Sequence, residues 1–302
     1  MLLIPKGTQI VSRIALRDQR GITHPTGAVA VVEEAPTDPT HSYRVRFADG
    51  GIGYITRAEM SVRKLHQRAG LDGVSALEEH DLQEFVIYRC IVGSRAYGLD
   101  HEGSDTDLRG IYLPPADIHW SIYGVPEQLE VKESDECYWE LQKFLKLALK
   151  ANPNILECLY TPEVVEISPI AQELLAMREA FLSRLVYQTY NGYVLSQFKK
   201  LEQDMRTLGE IRTKHAMHLI RLLLSGITIL EDGTVPVRIG EHREALLAIK
   251  NAQMPFEQVD RWRLELHEAF DRAYASTRLP ERPDYERVNK FLIRARRKQI
   301  DG

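Results

Sequence analysis

The chain has 302 residues, and its 43 acidic residues against 39 basic ones leave a net charge of −4. A composition of 44% hydrophobic and 27% charged residues belongs to a chain that buries a core, which excludes a disordered protein. No apolar run approaches the roughly 18 residues of a membrane span, and the mild acidity gives no global sign of a nucleic-acid binder.

At the start of the chain, Pro5 and Lys6 stand where a signal peptide keeps its apolar stretch, so a cytoplasmic protein is expected. Cys90, Cys137 and Cys158 form no CxxC pair, which predicts reduced, buried thiols rather than a disulfide framework or a zinc site. Residues 1–65 read as all-β. Ala28–Val32 and Tyr43–Phe47 are strand-like, and the second alternates apolar residues with Arg44 and Arg46. Asp49-Gly50-Gly51 follows as a turn. Several short strands in so few residues suggest a small SH3-like β-barrel, resembling KOW- or SH3-type modules. A docking or lid role suits it better than RNA binding, with both arginines on a solvated face.

A polar helix is expected over Val74–Glu84, then an α/β rhythm. Glu84–Val92 reads as a buried strand, Leu108–Leu113 as a second and Leu129–Trp139 as a third. The helix Glu140–Lys150 would face inward through Leu141, Phe144, Leu145 and Ala148. From Ser168, an N-cap followed by Pro169, the pattern turns helical. Helices are expected over Ile170–Met205, Glu210–Leu230, Glu241–Ala252, Phe256–Thr277 and Tyr285–Gln299. The last carries six basic residues and no acidic one between Arg287 and Lys298, either an RNA-binding face or an ordinary amphipathic helix around Phe291 and Leu292.

The chemistry concentrates in Gly93-Ser94-Arg95-Ala96-Tyr97-Gly98 and, after six intervening residues, Asp105-Thr106-Asp107. A strand running into Gly-Ser lets backbone N–H groups approach a phosphate, because glycine has no Cβ in the way. Asp105 and Asp107, at i and i+2 of an extended segment, would project from one face and suit Mg²⁺, which takes carboxylates and substrate phosphates. Lys214, His218 and Arg221 recur at i, i+4 and i+7, on one helical face, as a basic stripe or as a solvated surface. Arg95 and Arg109 read equally as substrate contacts or as partners of Asp100 and Glu102; Tyr97 and Tyr112 read as packing residues.

Strand-GS-x(10)-D-x-D resembles the signature of the polymerase-beta-type nucleotidyltransferase superfamily. The fuller strings Ser104–Tyr112, Lys143–Asn154, Gly192–Gln197 and Lys214–Leu223 resemble its RNA ligase (RNA repair) pathway subgroup. The resemblance covers about residues 85–292 and leaves the N-terminal region unexplained. It implies an α+β protein: an SH3-like β-barrel (1–65), an α/β nucleotidyltransferase core (66–165) and a C-terminal helical domain (166–302) closing over the nucleotide.

The implied activity is Mg²⁺-dependent transfer of a nucleoside monophosphate from an NTP, ATP among the candidates, to a hydroxyl. Two Mg²⁺ ions are expected, with Mn²⁺ as a substitute. Gly93, Ser94, Arg95, Lys214, His218 and Arg221 would bind nucleotide. Asp105 and Asp107 would bind metal, with a third carboxylate that activates the hydroxyl. Asp135 is the choice for that third position, with Glu133 and Glu136 as rivals. An RNA end is the implied acceptor, with an RNA ligase as a partner and no membrane involved. A protein side chain or small molecule as acceptor, or a non-catalytic nucleotide-binding module, is the alternative.

Overall fold

The computed structural model describes residues 3–38, 41–68, 81–101, 103–131, 134–208 and 211–300. Its contacts divide the chain into two units, Met1–His80 with Ser121–Gly124 and Asp81–Trp120 with Val125–Gly302. The expected helix Val74–Glu84 falls outside the described residues up to position 80; after it, Leu82–Phe85 forms a 3₁₀ turn.

In the first unit, β1 (Gln9–Ser12), β4 (Val29–Glu34), β5 (Tyr43–Phe47), β6 (Ile52–Ile55) and β7 (Met60–Val62) form one antiparallel sheet of order β6-β5-β4-β1-β7. A separate two-stranded ladder joins β2 (Leu16–Arg17) to β3 (Thr23–His24), and the short helix α1 (Arg63–Arg68) follows β7. The alternation read in Tyr43–Phe47 is realised. Tyr43, Val45 and Phe47 enter a core with Ile10, Val32, Ile55 and Met60, while Arg44 and Arg46 pair with Glu33 on the outer face. No pairing among the described residues joins β6 to β7, so the sheet is open where a closed barrel was expected.

A polar knot braces the turn side of this unit. Asp18, fully buried at its side chain, accepts from the backbone N–H groups of Arg20 and Ile22 and from the Arg20 guanidinium at 2.8 Å. Arg20 also reaches Asp49 at 2.7 Å. His24, stacked on Phe47 with ring centroids 3.6 Å apart, places Nε2 3.3 Å from Asp18. Ligand atoms of Asp18, His24 and Asp49 fall within 4.8 Å of one another. The guanidinium bonded to both aspartates already supplies the cation they need, so this group is an ion-pair knot.

Burial alone would raise the Asp18 carboxyl, but the bonds from Arg20, Ile22 and His24 outweigh it and hold the group down to about 2. A depressed folded pKa contributes stability that is present above the ordinary value near 3.8 and is lost as pH falls through about 2. Acid unfolding followed by far-UV circular dichroism should show this loss, and Asp18→Asn should flatten the pH dependence in that window.

The second unit holds a mixed sheet of order β10-β11-β9-β8-β12, made of β8 (Val86–Val92), β9 (Asp107–Tyr112), β10 (Gln128–Val131), β11 (Glu136–Glu140) and β12 (Val164–Ile167). Only β9 and β11 run parallel. The single strand expected over Leu129–Trp139 is instead the hairpin β10–β11, because the polar residues before Glu136 turn the chain back on itself. Asp135 sits in that turn with a φ of +48°.

Helices α2 (Gly93–Tyr97), α3 (Ala116–Trp120), α4 (Leu141–Ala148) and α5 (Pro153–Tyr160) accompany the sheet. The apolar face expected of α4 is the one buried, and Glu140 caps it by accepting from Gln142 N–H. Ser168 caps α6 (Pro169–Leu175) by accepting from Ala171 N–H, with Pro169 in the first turn as expected. The long helix expected from Ile170 is broken. Phe181 and Leu182 turn into the core, and the Ser183 hydroxyl accepts from Leu185 N–H at the start of α7 (Leu185–Leu208). The remaining helices are α8 (Thr213–Asp232), α9 (Arg243–Lys250), α10 (Phe256–Ser276) and α11 (Tyr285–Lys298). One continuous hydrophobic core runs from Tyr88 and Ile111 in the sheet to Phe270 and Phe291 in the helices, so packing shows no break at the expected boundary near residue 166. Among the described residues, no helix is long and apolar enough to cross a membrane.

Candidate active site

β8 and β9 are antiparallel neighbours, and their register places Val92 opposite Asp107. The chain leaves β8 through Gly93, whose φ of +72° is left-handed. A Cβ built there would lie 2.2 Å from an Asp107 carboxylate oxygen. Only glycine allows the Gly93-Ser94 turn to sit directly against that carboxylate. Gly93→Ala should therefore destabilise the protein by about 1–3 kcal/mol and displace Asp107; a denaturant midpoint and a turnover assay on the same preparation would measure both losses.

The parallel register pairs Glu136 with Leu108, so Asp135, one residue earlier, falls opposite Asp107. The two carboxylates interact closely enough that each shifts the other. Burial, reinforced by Asp135, pushes the Asp107 carboxyl up, whereas the bond from Asp107, followed by the Arg109 charge, holds Asp135 down. Burial thus disfavours the charged form of Asp107, while Arg109 and Lys214 favour that of Asp135. Arg109 fixes Asp135 twice, through a 3.1 Å ion pair and a 2.5 Å bond to its backbone carbonyl. The αL backbone at Asp135 is thus held from two directions, as locally strained functional positions commonly are.

Asp105 is placed differently. β9 begins at Asp107, so Asp105 lies in the exposed connection before the strand and the i, i+2 alternation of a pleat does not act on it. Among the described residues, Asp105, Asp107 and Asp135 are not a group of three with ligand atoms within 4.8 Å. Of the rivals for the third carboxylate, Glu133 lies outside the described residues. Glu136 pairs one step out of phase with Asp107 and accepts from the Tyr138 hydroxyl, a bond that lowers its carboxyl.

Arg95 donates to the Ser104 carbonyl at 2.8 Å, bracing the loop between the glycine turn and β9 rather than pairing with Asp100. Lys214 is exposed, and its positive charge acts on both Asp107 and Asp135. His218 is half-buried and its imidazole is pushed down to about 3, first by burial and then by Arg221, Lys200, His215 and Lys214. Arg221 is 3% exposed and forms an ion pair with Glu157, with its guanidinium 3.9 Å from the Tyr97 ring centre. The stripe expected from 214, 218 and 221 is therefore one exposed cation, one neutral imidazole and one buried, neutralised arginine. Tyr97 is more than packing, since its hydroxyl donates to the second Glu157 oxygen at 2.6 Å. Sequence reasoning missed Glu157. Its signal was a lone acidic residue inside the apolar run Ile155–Tyr160.

A cavity of about 450 Å³ opens beside the carboxylates, lined by Arg109, Gln128, Glu130, Asp135 and neighbours. A larger one, about 630 Å³, lies in the N-terminal unit between Lys6, Glu33 and Arg46, and no candidate residue lines it. The basic terminal helix is largely neutralised, with Arg296 on Glu140, Lys298 on Glu173, Arg287 on Glu179 and Lys290 on Glu286.

A mixed sheet with a strand running into Gly-Ser, beside an aspartate opening one strand and another just before the parallel strand next to it, is the kind of site polymerase-beta-type nucleotidyltransferases carry. Comparison with protein families agrees: the chain belongs to the RNA repair pathway DNA polymerase beta family (RlaP), whose model matches residues 64–294. The chain is also 30% identical over 156 residues to the uncharacterized protein YcgL of Bacillus subtilis (strain 168), covering 50% of this chain and 58% of that one. A second relative, the uncharacterized protein MJ0002 of Methanocaldococcus jannaschii, is 24% identical over 156 residues, covering 50% and 62%. The matches thus span about three-fifths of the length of these curated relatives.

Proposed function

We propose that this protein transfers a nucleoside monophosphate from an NTP to a hydroxyl on an RNA end. The observation that carries the proposal is the Asp107–Asp135 pair, two carboxylates brought together by the sheet register against a glycine turn that leaves no room for a Cβ. Family membership supports the same chemistry.

The residues fit a hard divalent cation such as Mg²⁺ or Mn²⁺, since both donors are carboxylate oxygens. Bound there, with Asp105 approaching from the loop, it would neutralise triphosphate charge and stabilise the leaving pyrophosphate. The chain's own groups do the rest. Gly93 and Ser94 offer backbone N–H groups to a phosphate, Lys214 counters the triphosphate charge, and Arg95 holds the intervening loop. Asp135, charged and accessible, takes the proton of the attacking hydroxyl as its oxygen bonds to the α-phosphorus and the bond to pyrophosphate breaks. Arg221 acts as a positioning residue through Tyr97 and Glu157. The cavity between Arg109, Gln128 and Glu130 lies on the side from which an acceptor would approach Asp135.

For the N-terminal unit, whose meander β4–β6 and return of β7 to β1 would suit a small SH3-like module, we propose a docking role, with an RNA ligase as a candidate partner. The second reading, a protein side chain or small molecule as acceptor, is favoured by one observation. Four of the six terminal-helix cations are already ion-paired, which leaves few to contact phosphates. Incubation with each α-labelled NTP and Mg²⁺, adding RNA, DNA or a protein extract in turn, tests the choice. RNA labelling that weakens steeply with salt is expected; label confined to the protein fraction would establish the alternative acceptor.

A further inference from the structure

His218 belongs to a four-residue chain that runs from the core to the cleft. The Tyr97 hydroxyl donates to Glu157 Oε2 at 2.6 Å, Glu157 Oε1 pairs with Arg221 Nη1, and Arg221 Nη2 lies 3.2 Å from His218 Nδ1. Arg221 and Glu157 are each 3% exposed at the side chain, so water does not compete for these bonds. A guanidinium carries donors only and does not give up its proton in a protein. The bond to His218 therefore requires an unprotonated lone pair on Nδ1, which leaves the ring proton on Nε2.

We propose that Arg221, anchored by Glu157 and Tyr97, fixes His218 as a neutral Nε2–H tautomer that donates a hydrogen bond to an oxygen of the bound nucleotide. The ligand half of this inference rests on the nucleotide-transfer reading; the tautomer half does not.

The surroundings of the ring agree. Lys214, His215 and Arg221 on its own helix and Lys200 on α7 all oppose a second proton. Glu157 is spent on Arg221 and Tyr97, and Asp204 on α7 is spent on His215. No partner for His218 Nε2 occurs among the described residues, which leaves that N–H for a ligand. His218 is half-buried on α8, four residues after Lys214, whose charge reaches the Asp107–Asp135 pair. A neutral donor of this kind has a practical advantage over a cation. It orients a phosphate or sugar oxygen without changing charge across the pH range in which the enzyme works.

Nitrogen-15 NMR of the full-length protein labelled at histidine reads the tautomer directly, without nucleotide. The expected spectrum at pH 7 shows His218 with a protonated Nε2 and an unprotonated Nδ1, unchanged down to pH 5.5. An imidazolium, an Nδ1–H tautomer or a titration between those pH values would overturn the inference. Equilibrium binding of ATP, GTP, CTP and UTP in turn to wild type, His218→Gln and His218→Ala reads the donor. Glutamine keeps an N–H near the Nε2 position, so it should retain most of the affinity of the preferred nucleotide, whereas alanine should weaken binding roughly 10-fold or more. Equal losses in the two variants would overturn the donor role. Failure of the wild type to bind any of the four would overturn the nucleotide-transfer reading and the donor role with it, while the NMR result would still decide the tautomer.

Discussion

Asp107→Asn abolishes nucleotidyl transfer without unfolding the protein, and the melting temperature at pH 7 stays the same or rises. The two halves of this expected result have one cause. Asp107 is half-buried against Gly93, its carboxyl is pushed up by burial and by Asp135, and it is ionised at pH 7 only at an energetic cost. A raised folded pKa in a carboxylic acid means that the charged form opposes folding, so an uncharged isostere relieves the fold. The same substitution replaces an anionic carboxylate by a neutral amide, which is a poor ligand for a divalent cation, although the amide N–H can still donate to Asp135. A loss of about 10²–10³-fold in turnover is expected, the scale seen when a preorganised electrostatic group is removed from an active site. Steady-state kinetics and a thermal melt on the same sample measure both halves, and a large fall in stability would show that Asp107 is structural.

The second large effect concerns stability. Arg221→Met should cost about 3–5 kcal/mol, because it leaves the Glu157 charge buried and uncompensated. The double variant Glu157→Gln/Arg221→Met should recover most of that loss, since the glutamine carbonyl still accepts from Tyr97 and no charge remains inside. Chemical denaturation of the single and double variants checks the pattern. Recovered stability with depressed turnover would separate the two roles of the pair. A buried ion pair contributes little net stability over apolar packing, so what this one adds is alignment of the Gly93–Tyr97 helix, α5 and α8. Equal stability of the single and double variants would contradict that account.

Local rules made much of the fold legible. The Ser168–Pro169 cap, the inward face of Leu141–Ala148 and the alternation of Tyr43–Phe47 each depend on neighbouring residues alone, and each is found. The hairpin hidden in Leu129–Trp139 was not legible, because its turn needs an αL residue, and an aspartate does not announce that conformation as glycine would. The break before α7 depends on Phe181 and Leu182 entering a core built by distant helices. At the site, Gly93, Asp107 and the choice of Asp135 follow from spacing and from the family resemblance, and the sheet register brings the three together. Asp105 lies two residues before the start of β9, so strand alternation alone does not set its direction. The buried state of Arg221 was not legible for a different reason. Helical spacing tells which side chains share a face, but the partner that neutralises Arg221 comes from 64 residues away in sequence.

The central claim is that the α-phosphorus of an NTP is the reacting centre at the Asp107–Asp135 pair. Parallel incubations with α-labelled and γ-labelled NTP, in wild type and Asp107→Asn, test it most directly. The account predicts acceptor labelling from the α-label alone, release of the γ-label as pyrophosphate, and neither event in the variant. Acceptor labelling from the γ-phosphate, or α-label transfer that survives Asp107→Asn, would contradict it.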